Sequence, residues 1–325
     1  MWFTPLLTFS ILALRKSFMK FFIILLLISF SAMSQEVSVL TWNTFLIPPP
    51  FNFTQQEERA DLMATKLKAI NHDVIFFQEV FFEKKRSLII KELSSVYPHV
   101  AIPKKGDGIL QIQGSGLLIV SKYPMKLLDQ VVFKDCSGTD CFAAKSAMIV
   151  EITLPSNEKV QMIGTHLQGW NGPKIMNIRK NQLLEIKEMM KAHAKSGIAQ
   201  VLIGDLNIDG RIKPEYDDSL ALMDMSSTPL EGQFNFSNGF STIGCFDTPG
   251  GLNPGEWIDH MWLNPNGTEI QINSKKVVPI LGKIGQKECP LSDHYAVVAV
   301  IELNKSKKQE LAKKYHLKIH KIITS

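Results

Sequence analysis

Six strand-like apolar stretches of this chain carry an acid, an amide or an imidazole at one end. Asn43 closes VSVLTWN, Gln78 and Glu79 fall at the end of DVIFFQEV, and His166 follows VQMIGT. Asp205 and Asn207 follow VLIG, Asp259 lies in WIDHMWLN, and Asp293 with His294 precede YAVVAVIEL. Runs this apolar read as strands buried on both faces, so their polar residues belong at the ends of a sheet, where several strands can bring them together. Each one alone has a bland explanation. A strand-end Glu is usually a solvated loop carboxylate, His166 could be a satisfied structural histidine, and GDLN could be an Asx turn. Six such ends in one chain are harder to dismiss.

The segments between them alternate without a regular strand–helix rhythm. Thr54, with Glu57 three residues on, has the pattern of a capping box that opens a helix with Leu62, Met63, Leu67 and Ile70 on one face. A second helix is expected over Glu83 to Val96, and SGLLIVSKYP is a strand that stops at Pro124. AAKSAMIVEITL and VQMIGTHLQ read as antiparallel neighbours joined by PSNEK, and NIRKNQLLEIKEMMKAHAKSG as a helix with Gly197 as its stop. Many strands and few helices imply two packed sheets with helices outside. No internal repeat or Ser/Pro-rich linker divides the middle, so 35–303 is read as a single catalytic domain.

The termini differ from this body. MKFFIILLLISFSAMSQ, from Met19, has a basic start, an apolar run of Phe21 to Phe30, and small residues at Ala32 and Ser34. That is a secretory leader pattern, with 1–34 removed and Met19 as a possible true start. A retained anchor is the alternative. The formal charge of +5 misleads: the leader contributes +3 and the tail from Asn304 +6, which leaves Gln35 to Leu303 at −4. A broadly basic nucleic-acid-binding surface is therefore not expected. The basic tail, 304–325, reads as a solvated helix or a patch for anionic surfaces. Four cysteines, Cys136, Cys141, Cys245 and Cys289, suggest disulfides in an exported protein, and their spacing leaves three pairings open.

Carboxylates and carboxamides without thiolates suit a hard divalent cation, Mg²⁺ first, with Mn²⁺ or Co²⁺ as substitutes. Glu79 is the best direct ligand. Two histidines with acids nearby suit general acid–base work. Metal, base and amides together describe in-line attack of water on a phosphate ester. No GxSxG elbow and no Walker-type loop is found.

The stretches TWNTF, FQEVF, GSGLLIVSKYP, GTHLQ, GDLNID, IDHMW and SDHYAV together resemble the endonuclease/exonuclease/phosphatase superfamily, over about Val37 to Leu303. That resemblance implies an α+β fold, a four-layer α/β/β/α sandwich of two packed mixed sheets flanked by helices. It implies Glu79 as main metal ligand, with Asn43 and Asp293 at the metal or its waters. Asp205 and Asn207 would orient nucleophile and phosphate, His294 would be the base oriented by Asp259, and His166 would serve phosphate or leaving group. His260 would be a bystander. Within the superfamily, ERADLMATKLKAINHDVIFFQEVF and THLQ followed by Arg179 and Gln182 most resemble the secreted bacterial sphingomyelinases C. The branch implies a monomeric enzyme acting on sphingomyelin in membranes or lipoproteins; a secreted nuclease of the same fold is the alternative. One departure stands out. KKVVPILGKIGQKECPLSDH, where that branch often has an exposed hairpin with adjacent aromatics, has Ile280, Leu281 and Ile284 but no aromatic, which argues against membrane insertion and lysis through this segment.

Overall fold

Residues 74–80, VIFFQEV, bury both faces, and each face meets a different layer. Val74 and Phe76 join one apolar cluster, while Ile75, Phe77 and Val80 join another. The period-two alternation of a strand produces this division over Val74 to Phe77, and the left-handed backbone of Glu79 (φ 56) breaks it, so that Val80 falls with Ile75 and Phe77. It recurs along residues 35–46, where Val37 and Val39 point one way and Leu40, Trp42 and Leu46 the other.

The structure is a computed structural model and describes residues 35–48, 55–104, 113–232 and 255–303. The first half runs β1 (Gln35–Leu46), α1 (Gln56–Ile70), β2 (Val74–Val80), α2 (Glu83–Leu93), β3 (His99–Ala101), β4 (Leu118–Ser121), β5 (Met125–Val132), a 3₁₀ turn (Gly138–Phe142), β6 (Ser146–Thr153) and β7 (Lys159–His166). The second half runs α3 (Pro173–His193), β8 (Gln200–Asp205), α4 (Lys213–Met223), β9 (Leu230–Glu231), β10 (Asp259–Asn264), β11 (Ile270–Val278), β12 (Leu281–Ile284), β13 (Lys287–Pro290) and β14 (Ala296–Leu303).

One sheet has the order β3-β4-β2-β1-β14-β11-β9, the second β10-β8-β7-β6-β5, and β12 pairs with β13 as a separate hairpin. Both large sheets are mixed: β1–β2 and β7–β8 are parallel, β2–β4 and β8–β10 antiparallel. The inner faces meet through Val39, Phe76 and Ile119 on one side and Met148, Met162 and Val201 on the other. Helices α1 and α2 cover the outer face of the first sheet, and α3 and α4 that of the second. This is the α/β/β/α sandwich that the resemblance implied.

Local expectations hold with adjustments. β6 and β7 are antiparallel neighbours. Helix α1 opens at Gln55, in left-handed conformation and without a side-chain cap, while Thr54 lies outside the described residues. Its buried stripe is Arg59, Ala60, Met63, Ala64 and Leu67, with Leu62 and Ile70 flanking it. Helix α2 ends at Leu93 rather than Val96. Helix α3 starts at Pro173 and ends at His193, so Gly197 is not its cap; it takes φ +80 in the turn before β8. Cys136 and Cys141 form a disulfide, and among the described residues no cysteine is free. Residues 1–34, the tail 304–325 and Cys245 lie outside the described residues, so neither the leader nor the tail expectation is met or refuted by the fold. Among the described residues no helix is long and apolar enough to cross a membrane.

Candidate active site

The pairing registers gather the polar strand ends. In the second sheet His166 pairs with Asp205 and Asp205 with Asp259, because β8 leaves the sheet where antiparallel β10 enters it. In the first sheet Asn43 pairs with Gln78, just before β1 and β2 lose register. Asp259 and His294 therefore start strands or precede them rather than ending them, and still reach the same place. Gly204 explains the glycine of GDLN. At φ +145 its Cα faces β7 so closely that a Cβ would lie 2.0 Å from the Thr165 carbonyl oxygen. Only glycine lets β8 pair there and deliver Asp205 beside His166.

Asn43 is buried at the centre. Its Nδ2 donates to Glu79 Oε1 and to Asp205 Oδ2, at 3.0 Å each. His294 Nδ1 lies 2.6 Å from Asp259 Oδ2, and its Nε2 lies 3.7 Å from Asp205 Oδ2. His166 Nε2 is 3.4 Å from Asp205 Oδ2 and 3.8 Å from Glu79 Oε1. Asn207, left-handed at φ 52, donates its backbone N–H to Asp205 Oδ1 and its Nδ2 to the Leu167 carbonyl. The loop before β14 is sewn to β1. Ser292 Oγ donates to the Asn43 carbonyl at 2.6 Å, and Trp42 Nε1 donates to the His294 carbonyl at 2.9 Å. The buried Arg59 guanidinium donates to the carbonyls of Thr44, Phe45 and Leu291, clasping the same two segments from beneath.

All eight candidate residues thus lie within one centre or its immediate wall. His260 is turned away from it, buried against Tyr216 and Trp262, with Nε2 2.7 Å from the Ile208 carbonyl oxygen. Two residues were missed. Lys145, one residue before β6, is buried with Nζ 3.1 Å from His166 Nε2, and it donates to the Leu167 carbonyl at 2.6 Å. Asp140, inside the Cys136–Cys141 loop, receives Lys145 at 2.7 Å and the Gly169 N–H at 2.7 Å. The signal was a lysine at the start of the otherwise apolar run AAKSAMIV. Arg179 and Gln182 do more than pack α3. They hold the backbone of Gln168 and Trp170 next to the site.

Electrostatics sharpen the roles. Burial, then the charge of Asp293, pushes Glu79 up to about 7. Asp205 is raised by burial and by Asp259, and Asp293 chiefly by burial. Burial would lower His294, but Asp259, Asp293 and Asp205 outweigh it and push the imidazole up to about 10. His166 moves well below its usual value, through burial and then Lys145 and His294. His166 is therefore neutral. With Nε2 accepting from the lysine, its proton sits on Nδ1, which is buried with no hydrogen-bond partner among the described residues. The positive charges facing the cluster are therefore Lys145 and the raised His294, not His166.

Crowded carboxylates with raised pKa values are the mark of a missing positive charge. Ligand atoms of Asp205, Asp259 and His294 lie within 4.8 Å of one another and could hold a metal ion. The 2.6 Å contact between His294 Nδ1 and Asp259 Oδ2 already engages one atom of each of two of the three. The carboxylates of Glu79 and Asp293 are oxygen donors of the kind a hard cation takes and lie outside that contact, with the Asn43 amide beside Glu79.

The model of the endonuclease/exonuclease/phosphatase family matches residues 40–294. The chain belongs to this family. The family assignment agrees with the two-sheet sandwich. A sphingomyelinase C of Leptospira interrogans is 28% identical over 295 residues, covering 83% of this chain and 52% of that protein. The chain spans about half the length of the first such relatives it matches, or less: 52%, 32% and 58%. A beta toxin structure from Staphylococcus aureus aligns with TM-score 0.69 and 22% identity over 81% of this chain and 99% of that one. A second beta toxin structure, a mutant with bound magnesium ions, aligns at 0.67 and 21% over 83% and 100%. At such identities the structural likeness speaks for the fold. The cluster of Asp205, Asp259 and His294, with Glu79 and Asp293 beside it, supports a divalent cation.

Proposed function

We propose that this endonuclease/exonuclease/phosphatase-family protein is a secreted, Mg²⁺-dependent phosphodiesterase that hydrolyses sphingomyelin to ceramide and phosphocholine. The observation that carries the reading is the Asp259–His294 pair aimed at Asp205, beside an oxygen-only set containing Glu79. The family relatives named as sphingomyelinases supply the substrate class. Asp259 holds Nδ1 of His294, leaving Nε2 to take a proton from an attacking water that Asp205 and Asn207 orient. Water oxygen bonds to phosphorus, the phosphorus–oxygen bond to ceramide breaks, and the proton on His294 is available to the departing alkoxide. Lys145 sets positive charge against the phosphoryl oxygens beside neutral His166. Mg²⁺, held by Glu79 with Asp293 and Asn43 at its water shell, would supply charge to the phosphate oxygens; Mn²⁺ or Co²⁺ would substitute. The protein would act as a monomer on sphingomyelin in membranes or lipoproteins. The disulfide suits an oxidising compartment, and export would remove residues up to about Ser34.

The test is purified mature protein against sphingomyelin vesicles and plasmid DNA, with Mg²⁺ or with chelator. Mg²⁺-dependent release of phosphocholine, with DNA intact, is expected. Nicked DNA and intact lipid would replace this reading with a nuclease.

A further inference from the structure

Three exposed apolar side chains lie on loops at the same end of the five-stranded sheet, the end that carries His166, Asp205 and Asp259. β6 begins, β7 and β8 end, and β10 begins at that end, so the adjoining loops are neighbours. Trp170, after β7, is 70% exposed; Phe142, before β6, is 52% exposed; Ile212, after β8, is 49% exposed. The loops are tied together. Gly169 N–H donates to Asp140 of the disulfide loop, and Gly210 N–H to the carbonyl of Trp257 just before β10.

Trp170 is held out at an energetic penalty. Its backbone is left-handed at φ 73, a conformation bulky L residues rarely keep. Its carbonyl accepts a 2.6 Å hydrogen bond from Arg179, which is buried and forked onto Glu215 at 2.8 and 3.0 Å. A strained turn pinned by a buried ion pair, with an indole left in water, is more than surface scatter. The β12–β13 hairpin is built the other way. Ile280, Ile284 and Leu291 face the core, and its exposed residues are Lys283, Gly285, Gln286, Lys287 and Glu288.

We propose that Trp170, Phe142 and Ile212 form a docking rim for a lipid–water interface, which brings a membrane-borne phosphodiester to the site. The inference rests on the lipid-substrate reading above. The occupant follows from charge as well as place. The body from Gln35 to Leu303 carries −4 and a phosphocholine surface is zwitterionic, so Coulomb attraction contributes little and apolar insertion must supply the binding. An indole suits the boundary between headgroup and acyl chain.

The test compares wild-type protein with the Trp170→Ala/Phe142→Ala double variant, binding to vesicles of phosphatidylcholine alone and with sphingomyelin, in chelator so that no turnover occurs. Turnover of water-soluble 4-nitrophenyl phosphocholine, with Mg²⁺, reports the integrity of the centre. The rim predicts vesicle affinity lower by roughly tenfold or more in the variant, from the lost apolar burial, with soluble-ester turnover within about twofold. Equal vesicle binding by both proteins, or no binding by wild type, overturns it. A concentration-dependent dimer abolished by the same substitutions would also overturn it, by assigning the rim to a second copy of this chain. Trp170-dependent vesicle binding with the sphingomyelin left intact after Mg²⁺ is added would leave the rim standing and sink the substrate reading.

Discussion

Strand β2 has a carboxylate at each end, and the two are built in opposite ways. Asp73, just before the strand, accepts Ser38 N–H at 2.9 Å and Ser38 Oγ–H at 2.8 Å, and Lys122 Nζ lies 3.1 Å away. Burial alone would raise it, but the two Ser38 hydrogen bonds and the Lys122 ammonium hold it below the usual carboxylate range. Glu79, near the other end, has one donor in Asn43 and shares a buried space with Asp293, and it is pushed up to about 7. One end satisfies its charge with the chain's own donors. The other gathers buried carboxylates that Lys145, Arg59 and His294 do not bring back to the usual range, which is how a ligand site differs from a structural ion pair.

The sharpest way to break the comparison is at the base. His294→Ala is expected to lose roughly 10²–10⁴-fold in turnover, with a melting temperature close to wild type. Asp259→Asn should lose less, because the base survives while its orientation weakens. The pH profile separates the two further. His294 must be neutral to accept a proton; the surrounding carboxylates push it up to about 10, a divalent cation beside them would bring it down again, and activity is lost as pH falls through the resulting value. Removing the Asp259 charge therefore moves the acid limb of kcat/KM to lower pH. An unmoved limb, or activity and melting temperature falling in parallel, would reduce the pair to a packing contact.

Next in size is Lys145. Lys145→Ala should lower turnover by roughly 10²–10³-fold, by removing the ammonium beside His166, on the scale of one lost charge-stabilising donor. Asp140→Asn should lose less. If Lys145→Met retains full turnover, the ammonium is structural.

At the other end of β2, Asp73→Ala should leave turnover unchanged and lower stability by about 1–3 kcal/mol, since the Ser38 N–H loses its buried partner. Because the folded pKa is depressed, this contribution is present above the unfolded value of about 3.9 and is lost as pH falls through the folded one. The variant should accordingly lose stability less steeply than wild type below about pH 4. Thermal melts from pH 2 to 7 measure it.

How far the sequence could reveal this depended on which features are local. VIFFQEV and VLIGDLN show their burial and their polar ends within a few residues, so Glu79 and Asp205 were readable as site residues. Lys145 was not, because a lysine before a strand looks solvated until the disulfide loop brings Asp140 against it. The roles of Arg179 and Gln182 were equally hidden, since RxxQ on a helix fits packing as well as a clasp on a distant loop. Gly197 failed as a helix stop because glycine marks a left-handed turn without saying which turn. The opposite electrostatics of Asp73 and Glu79 depend on contacts 35 and more residues apart in the chain, and no local pattern reports them.

The account's central claim is that the charge gathered at Glu79 awaits a hard cation. Thermal melting of wild type and Glu79→Gln, in chelator and in Mg²⁺, tests it most directly. The account predicts that Mg²⁺ raises the wild-type melting temperature by roughly 5 °C at 100-fold excess over its Kd. It predicts that Glu79→Gln melts higher than wild type in chelator, because a crowded buried charge is gone, and gains nothing from Mg²⁺. Equal Mg²⁺ shifts in both proteins, or a Glu79→Gln variant less stable in chelator, would contradict it.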